Sequence, residues 1–169
     1  MRTLPDRNLT ANFSLYELIE AHPTGNRDLA WLNWKFIGEL DMERLEMIAA
    51  RLQQLRDIIN QRYRVENFGK EIALRVTSAF RCRAWERLRN RNGSSRHVVC
   101  DANDFVPVCE NPEQTVLIIE ELYRELNPRL TGHQGGLAIK KPTRNAKGEL
   151  QLLGFMHIDL GPTRRWEYL

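Results

Sequence analysis

No stretch of this chain is long and apolar enough to cross a membrane, a span that takes about 20 consecutive apolar residues. The opening residues, Met1-Arg2-Thr3-Leu4-Pro5-Asp6-Arg7, hold no apolar run of the kind a secretory signal needs, and Pro5 and Asp6 interrupt them early. The expectation is a protein made in the cytoplasm, whose action outside the cell would need another exit route, such as lysis or packaging into a particle. Cysteine is scarce. Cys82, Cys100 and Cys109 are the only three, without a CxxC spacing, so neither a disulfide framework nor a four-cysteine zinc site is implied, and all three read as reduced thiols. Net charge is low as well, at +3, which by itself does not argue for a nucleic-acid partner. There is no internal repeat, low-complexity tract or long linker. The 169 residues suffice for one compact domain with its own core.

What is present is ordered. Residues 12–20 read as a short helix, with Ser14 as N-cap and Glu17 three residues on, a capping box. Pro23-Thr24-Gly25-Asn26 breaks it. Met42, Leu45, Ile48, Leu52, Leu55, Ile59 and Tyr63 recur at three- and four-residue steps, which predicts a helix from about 42 to 64, with Asp41 as its cap. Residues 72–78 alternate and end β-branched, a strand signal. An arginine-rich segment follows, from Arg81 to Arg96. A strand is expected around 102–106, a helix over 112–126 capped near Asn111, a turn into a strand over 132–139, a hairpin turn at 145–148, and a last strand over 155–160. Helices followed by strands with an inserted helix make the class α+β. The expected architecture is a single domain over 1–169, mainly helical to residue 70. From 71 onward a small antiparallel sheet carries the candidate site, with helices packed on one side.

That site is a constellation of two histidines and a carboxylate. His97 and Asp104 stand seven residues apart, and His157 follows much later in Gly154-Phe155-Met156-His157-Ile158-Asp159. Such a set supplies three zinc ligands and leaves the fourth position open, as a catalytic zinc requires. Alternate residues of a strand share a face, so His157 goes with Asp159, and Ala102 with Asp104. The plainer alternative is that both histidines are ordinary, hydrogen-bonded core residues. Residue pattern alone leaves the two readings level.

The segment Ser95-x-His97-x-x-Cys100-x-Ala102-x-Asp104 resembles the Ser-x-His-x-x-Gly-x-Ala-x-Asp motif of the zinc D-alanyl-D-alanine carboxypeptidases and related murein endopeptidases. Phe155-Met156-His157-Ile158-Asp159-Leu160-Gly161-Pro162, followed by Arg164-Arg165-Trp166, resembles that family's closing strand. Val76-Thr77-Ser78-Ala79-Phe80-Arg81 is similar to its strand and arginine ahead of the histidine motif. Leu9 to Leu18 is similar to the opening of its phage-type members. The likeness covers nearly the whole chain.

The resemblance implies that His97, Asp104 and His157 hold Zn2+, and that Arg81 steadies a substrate carboxylate or the polarised carbonyl, a task its bidentate fork suits; one more surface arginine is the plain alternative. Two positions depart from the family. Its glycine is Cys100 here, where glycine points to an unusual backbone conformation or a close approach. Cys100 is either a buried bystander or a fourth, thiolate ligand that would close the site. Many relatives also place Glu, Asp or His two or three residues before the last histidine. Phe155 and Gly154 stand there, and neither takes a proton, although some murein endopeptidases of this group share Phe-x-His-x-Asp. The candidates for the base are therefore Asp159, His133 and Asp101. Asp159 can equally be the carboxylate that orients a histidine ligand. His133 can be an idle loop histidine, and Asp101 should point away from the face of Asp104. Trp85 and Trp166 either line the cleft or fill the core.

The implied function is a zinc metallopeptidase that cuts stem-peptide or cross-link bonds of bacterial peptidoglycan. It would be a phage lysin, made in the host cytoplasm and reaching the wall after release, or an enzyme carried on the virion. A non-catalytic zinc-bearing structural or wall-binding module of a phage particle is the competing expectation. The arginine segment offers a weaker third reading as a nucleic-acid surface, but no nucleic-acid motif accompanies it. No nucleic-acid partner and no membrane insertion are expected.

Overall fold

The computed structural model describes residues 7–20, 27–125 and 135–168. Its contacts cluster into two units, residues 1–53 with 76–103, and residues 54–75 with 104–169.

In the first unit, helix α1 (Leu15–Glu20) opens as its capping box implies: the Ser14 hydroxyl accepts from Glu17 N at 3.2 Å. Helices α2 (Arg27–Phe36) and α3 (Glu39–Tyr63) follow. Leu45, Ile48, Ala49 and Leu52 of α3 are buried with Phe13, Leu15, Leu18 and Ile19. This is the apolar stripe read from the sequence, since three- and four-residue steps align on one helix face. The start differs from expectation. The helix begins at Glu39, and Asp41 lies inside its first turn, where its carboxylate accepts from Gly38 N at 3.0 Å. A carboxylate in the first turn answers the helix's free N–H groups as a cap would. Buried Asn33 ties the unit together. Its amide donates to the carbonyls of Ile19 (3.0 Å) and Phe80 (2.7 Å), and its oxygen accepts from Cys82 N (2.9 Å). Every polar atom of that buried amide is thus used. Helix α4 (Arg83–Leu88) and a 3-10 turn (Arg96–Val99) complete this part of the chain.

In the second unit, α3 continues with Leu55 and Ile59 buried, and α5 (Pro112–Glu125) buries Val116, Ile118, Ile119 and Leu122. Asn111 caps α5, accepting from Glu113 N at 3.0 Å; residue 126, expected in this helix, lies outside the described residues. The Tyr63 hydroxyl donates to Glu121 at 2.5 Å, fastening the end of α3 to α5.

A five-stranded sheet runs in the order β1 (Ala73–Ser78), β2 (Ala102–Val108), β6 (Phe155–Asp159), β3 (Gly136–Lys140), β7 (Arg164–Tyr168). Strands β4 (Thr143–Arg144) and β5 (Leu150–Leu152) form a separate hairpin around the expected turn. The class is α+β, as the order of elements implied. The sheet is mixed: β3 pairs antiparallel with β6 and parallel with β7. Strand β7 was not foreseen. Its Arg164-Arg165-Trp166-Glu167-Tyr168 shows exposed residues alternating with half-buried ones, too polar to announce a strand by hydrophobicity.

Candidate metal centre

His97 sits in the 3-10 turn, whose N-cap Ser95 accepts from His97 N at 3.4 Å. Arg44 donates to the Val99 carbonyl at 3.2 Å, holding the same turn. The His97 ring is buried, and its Nδ1 lies 2.6 Å from the Ala79 carbonyl oxygen. A carbonyl only accepts, so Nδ1 carries the proton and Nε2 presents a lone pair. The turn ends at Cys100, whose φ of 58° and ψ of 21° are left-handed. Side chains rarely adopt that conformation and glycine does so freely, which accounts for a glycine in the resembling motif.

Asp104 and His157 come from β2 and β6, both buried, with His157 Nδ1 2.7 Å from Asp104 Oδ1. Nε2 of His157 lies 3.3 Å from Asp159 Oδ2. A neutral imidazole can donate to only one of the two carboxylates, so the other ring nitrogen turns its lone pair on a carboxylate. Two acceptors at hydrogen-bond distance need a cation between them, either a second proton or a metal. The imidazole reflects this. Burial pushes its pKa down, but the hydrogen bonds to Asp104 and Asp159 outweigh burial and raise it above the ordinary histidine value.

One ligand atom from each of His97, Asp104 and His157 lies within 4.8 Å of the other two, and this buried cluster could hold a metal ion. A tetrahedral zinc about 2.1 Å from each donor would set them about 3.4 Å apart. The donor set of two imidazoles and one carboxylate, with a lone pair facing a carboxylate in the core, therefore fits the ion.

Asp159 is fully buried and fully used. Its Oδ1 accepts from Gly136 N (3.0 Å) and Gly161 N (2.7 Å), and its Oδ2 from Arg164 Nη2 (2.7 Å) and His157. Burial pushes its carboxyl up, yet the hydrogen bonds from His157, Gly161 and Gly136 and the Arg164 charge prevail and hold it at about 2. The sheet register explains how Arg164 arrives there. Gly136 pairs with Arg164, and Ala138 with both His157 and Trp166. These two small residues on β3 let β7 reach across to β6. Arg164 meets Asp159, and the Trp166 ring lies 5.1 Å from the His157 ring. A Cβ on Gly136 would overlap Asp159 Oδ2. Arg164, Trp166 and Gly136 thus serve the site as a set. Arg164 and Trp166 stood out in the sequence only through the resemblance of that segment to a closing strand; for Gly136 the signal was the small-x-small spacing on β3, which is meaningless without the strand order.

Arg81 is buried too. It donates to Ser78 Oγ (2.8 Å) and Ser95 Oγ (3.0 Å), and pairs through Nε with Glu86 at 2.8 Å. Its backbone N donates to the His97 carbonyl at 3.1 Å. The arginine braces the turn that carries His97. Asp101 is buried and pairs with Arg96. Cys100 is buried, and burial followed by the neighbouring Asp41 carboxylate pushes its thiol far up. It is not part of the His97, Asp104 and His157 cluster. Trp85 is a core residue, while half-buried Trp166 is the tryptophan beside the histidine. Gly154, three residues before His157, has φ +76°, and a Cβ there would overlap the Lys140 carbonyl oxygen. The position is committed to a turn. His133 lies outside the described residues.

No helix among the described residues is long and apolar enough to cross a membrane. No family model, no curated protein and no solved structure matches the chain.

Proposed function

We propose that the protein is a zinc peptidase that cleaves stem-peptide or cross-link bonds of bacterial peptidoglycan. One observation carries the reading: a buried pair of imidazoles and a carboxylate, their donor atoms within 4.8 Å of one another, on residues taken from two separated motifs. The ordered likeness of those motifs to the zinc D-alanyl-D-alanine carboxypeptidases and murein endopeptidases supplies the substrate class. The similarity of Leu9 to Leu18 to phage-type members supports a phage lysin or virion enzyme.

His97, Asp104 and His157 would hold zinc, which when bound supplies Lewis acidity toward a peptide carbonyl and toward water. Asp159 is a positioning residue. A carboxylate has about four lone-pair sites, and those of Asp159 face Gly136, Gly161, Arg164 and His157. It fixes the ring plane of His157 and leaves Nδ1 for the ion. Arg81 holds the Ser95–His97 turn through Ser95 Oγ and the His97 carbonyl. Its action on a substrate carbonyl or carboxylate stays part of the proposal. The proton acceptor is sought outside the Asp159 network, with His133 the remaining histidine candidate.

The test is mass spectrometry of muropeptides released from purified cross-linked peptidoglycan by zinc-loaded protein, with His97→Ala in parallel. The expected result is loss of cross-linked or full-length stem peptides with matching product, absent in the variant. Equal cleavage by His97→Ala would refute the scheme.

A second reading, a zinc-bearing module without catalysis, is favoured by Gly154, which puts a turn where relatives carry a proton acceptor. A peptide hydroxamate separates the two, because it needs an open coordination position: competitive binding supports the enzyme, and zinc bound without hydroxamate affinity supports the module.

A further inference from the structure

The arginine-rich segment divides in two once its partners are traced. Arg81 is held by Ser78, Ser95 and Glu86. Arg89 and Arg91 lie over the Trp85 ring, at 5.0 and 5.9 Å from its centroid, and Arg96 pairs with Asp101. Arg83 and Arg87 remain. Both are exposed, and neither has a hydrogen-bond or ion-pair partner among the described residues. They stand four apart on α4, and so on one helix face. Both line the same cavity, of about 420 Å³.

The rest of that cavity is mostly apolar. Phe80, Cys82 and Val98 are buried side chains in its wall, and Phe36, exposed, extends the apolar surface. The acidic residue among the described lining, Asp41, does not neutralise the arginines by pairing. Its carboxylate accepts from Gly38 N and is a hydrogen-bond partner of the Cys100 thiol. Two unpaired guanidinium forks beside an apolar wall suit a ligand with a carboxylate at one end and an apolar body at the other. A bare phosphate would answer the forks and leave the wall uncovered.

We propose that this cavity is a binding site for an apolar amino-acid residue ending in a free carboxylate, either alone or as the end of a peptide. The site is independent of the metal. Its residues all lie in the first unit, and none of them is a zinc ligand.

The experiment titrates N-acetylphenylalanine into the full-length protein, followed by calorimetry and by NMR of the arginine side chains and backbone amides. Probes run in parallel are N-acetylphenylalanine amide, inorganic phosphate and a short DNA duplex. The variants are Arg83→Gln, Arg87→Gln and Phe36→Ala; all three side chains are exposed, so an unchanged backbone spectrum away from the cavity verifies folding. Saturable binding of the acid is expected, with shifts at Val98, Ala84 and the two arginines. Each arginine variant should weaken it by about tenfold or more, the scale of one charge-assisted hydrogen bond. The amide should bind correspondingly worse, and Phe36→Ala should weaken the acid but not phosphate. The proposal is overturned by absence of saturable binding up to about 10 mM, by amide or phosphate binding as tightly as the acid, or by DNA displacing the acid through the same arginines. Binding that persists in His97→Ala supports the site even where wall cleavage fails, so the two proposals stand or fall separately.

Discussion

Gly136→Ala isolates the contact on which the centre depends. Gly136 is not in a left-handed conformation, so backbone freedom does not explain the glycine. Space does: a Cβ would overlap Asp159 Oδ2 and lie 2.7 Å from its Cγ and 2.9 Å from its Oδ1. The carboxylate is walled in by Gly161 N, Arg164 and His157 and cannot withdraw without giving up one or more of these bonds. Hydrogen bonds to a charged group contribute about 1.5–3 kcal/mol each, and forced overpacking costs about 1–3 kcal/mol. Losing one such bond with residual strain gives about 3–6 kcal/mol. For a chain of this size that lowers Tm by roughly 10 °C. Because Asp159 orients His157, zinc affinity should fall as well, by about 10–100-fold, as for the loss of an outer partner of a ligand histidine. Gly148→Ala is the control. Gly148 has φ +80° with nothing within 4 Å of a Cβ, so it should cost only the left-handed penalty, about 1–2 kcal/mol, with zinc affinity unchanged. Thermal unfolding of the metal-free protein and a chelator competition assay give both readouts. Equal losses in the two variants, or a Gly136→Ala protein with wild-type zinc affinity, would refute the role given to Asp159.

Three further outcomes are expected. Asn103 is fully buried, and among the described residues neither atom of its amide has a hydrogen-bond partner, so Asn103→Leu should stabilise the fold by about 1–2 kcal/mol in urea titration; destabilisation would show that the amide is satisfied in solution. Among the described residues, Arg81→Met leaves the buried Glu86 carboxylate paired with Arg91 alone, at 3.5 Å, and should cost about 3 kcal/mol, much of it recovered in the double variant Arg81→Met, Glu86→Gln; a single variant as stable as wild type would count against a structural ion pair. Burial, and then the Glu121 carboxylate, raise the Tyr63 phenol to about 12. The unfolded phenol releases its proton near about pH 10, so this contribution is complete below pH 10 and is lost as pH rises from 10 to 12. Tyr63→Phe should flatten the fall in urea midpoint over that window, and an identical fall in both proteins would exclude the Tyr63 contribution.

Much of the fold was legible because it is written in local periodicity. The α3 stripe, the Ser14 and Asn111 caps and the alternation of β1 need only neighbouring residues to be read. The start of α3 was misplaced by three residues because an acidic residue in the first turn resembles a cap. Strand β7 escaped because an edge strand with one solvated side carries little hydrophobic signal.

The site divides along the same line. His97, Asp104 and His157 were named as a set from residue type, and the structure brings their donor atoms within 4.8 Å. What positions them was hidden in residues that look unremarkable. Gly136 and Ala138 matter for what they leave out, since smaller side chains on β3 admit Arg164 and Trp166 to Asp159 and His157. Cys100 shows the converse case, a position where the glycine of the resembling motif suggested special backbone geometry and where φ is 58°. A glycine there would relax the left-handed backbone by roughly 1 kcal/mol, while removing a thiol buried against Asp41. Since the thiol fills a fully buried space, the deletion leaves a small cavity whose cost is of the same order. Cys100→Gly should therefore leave the urea midpoint nearly unchanged, and with it zinc affinity. A large loss of zinc affinity in that variant alone would instead make the thiol a ligand and favour the closed, non-catalytic module.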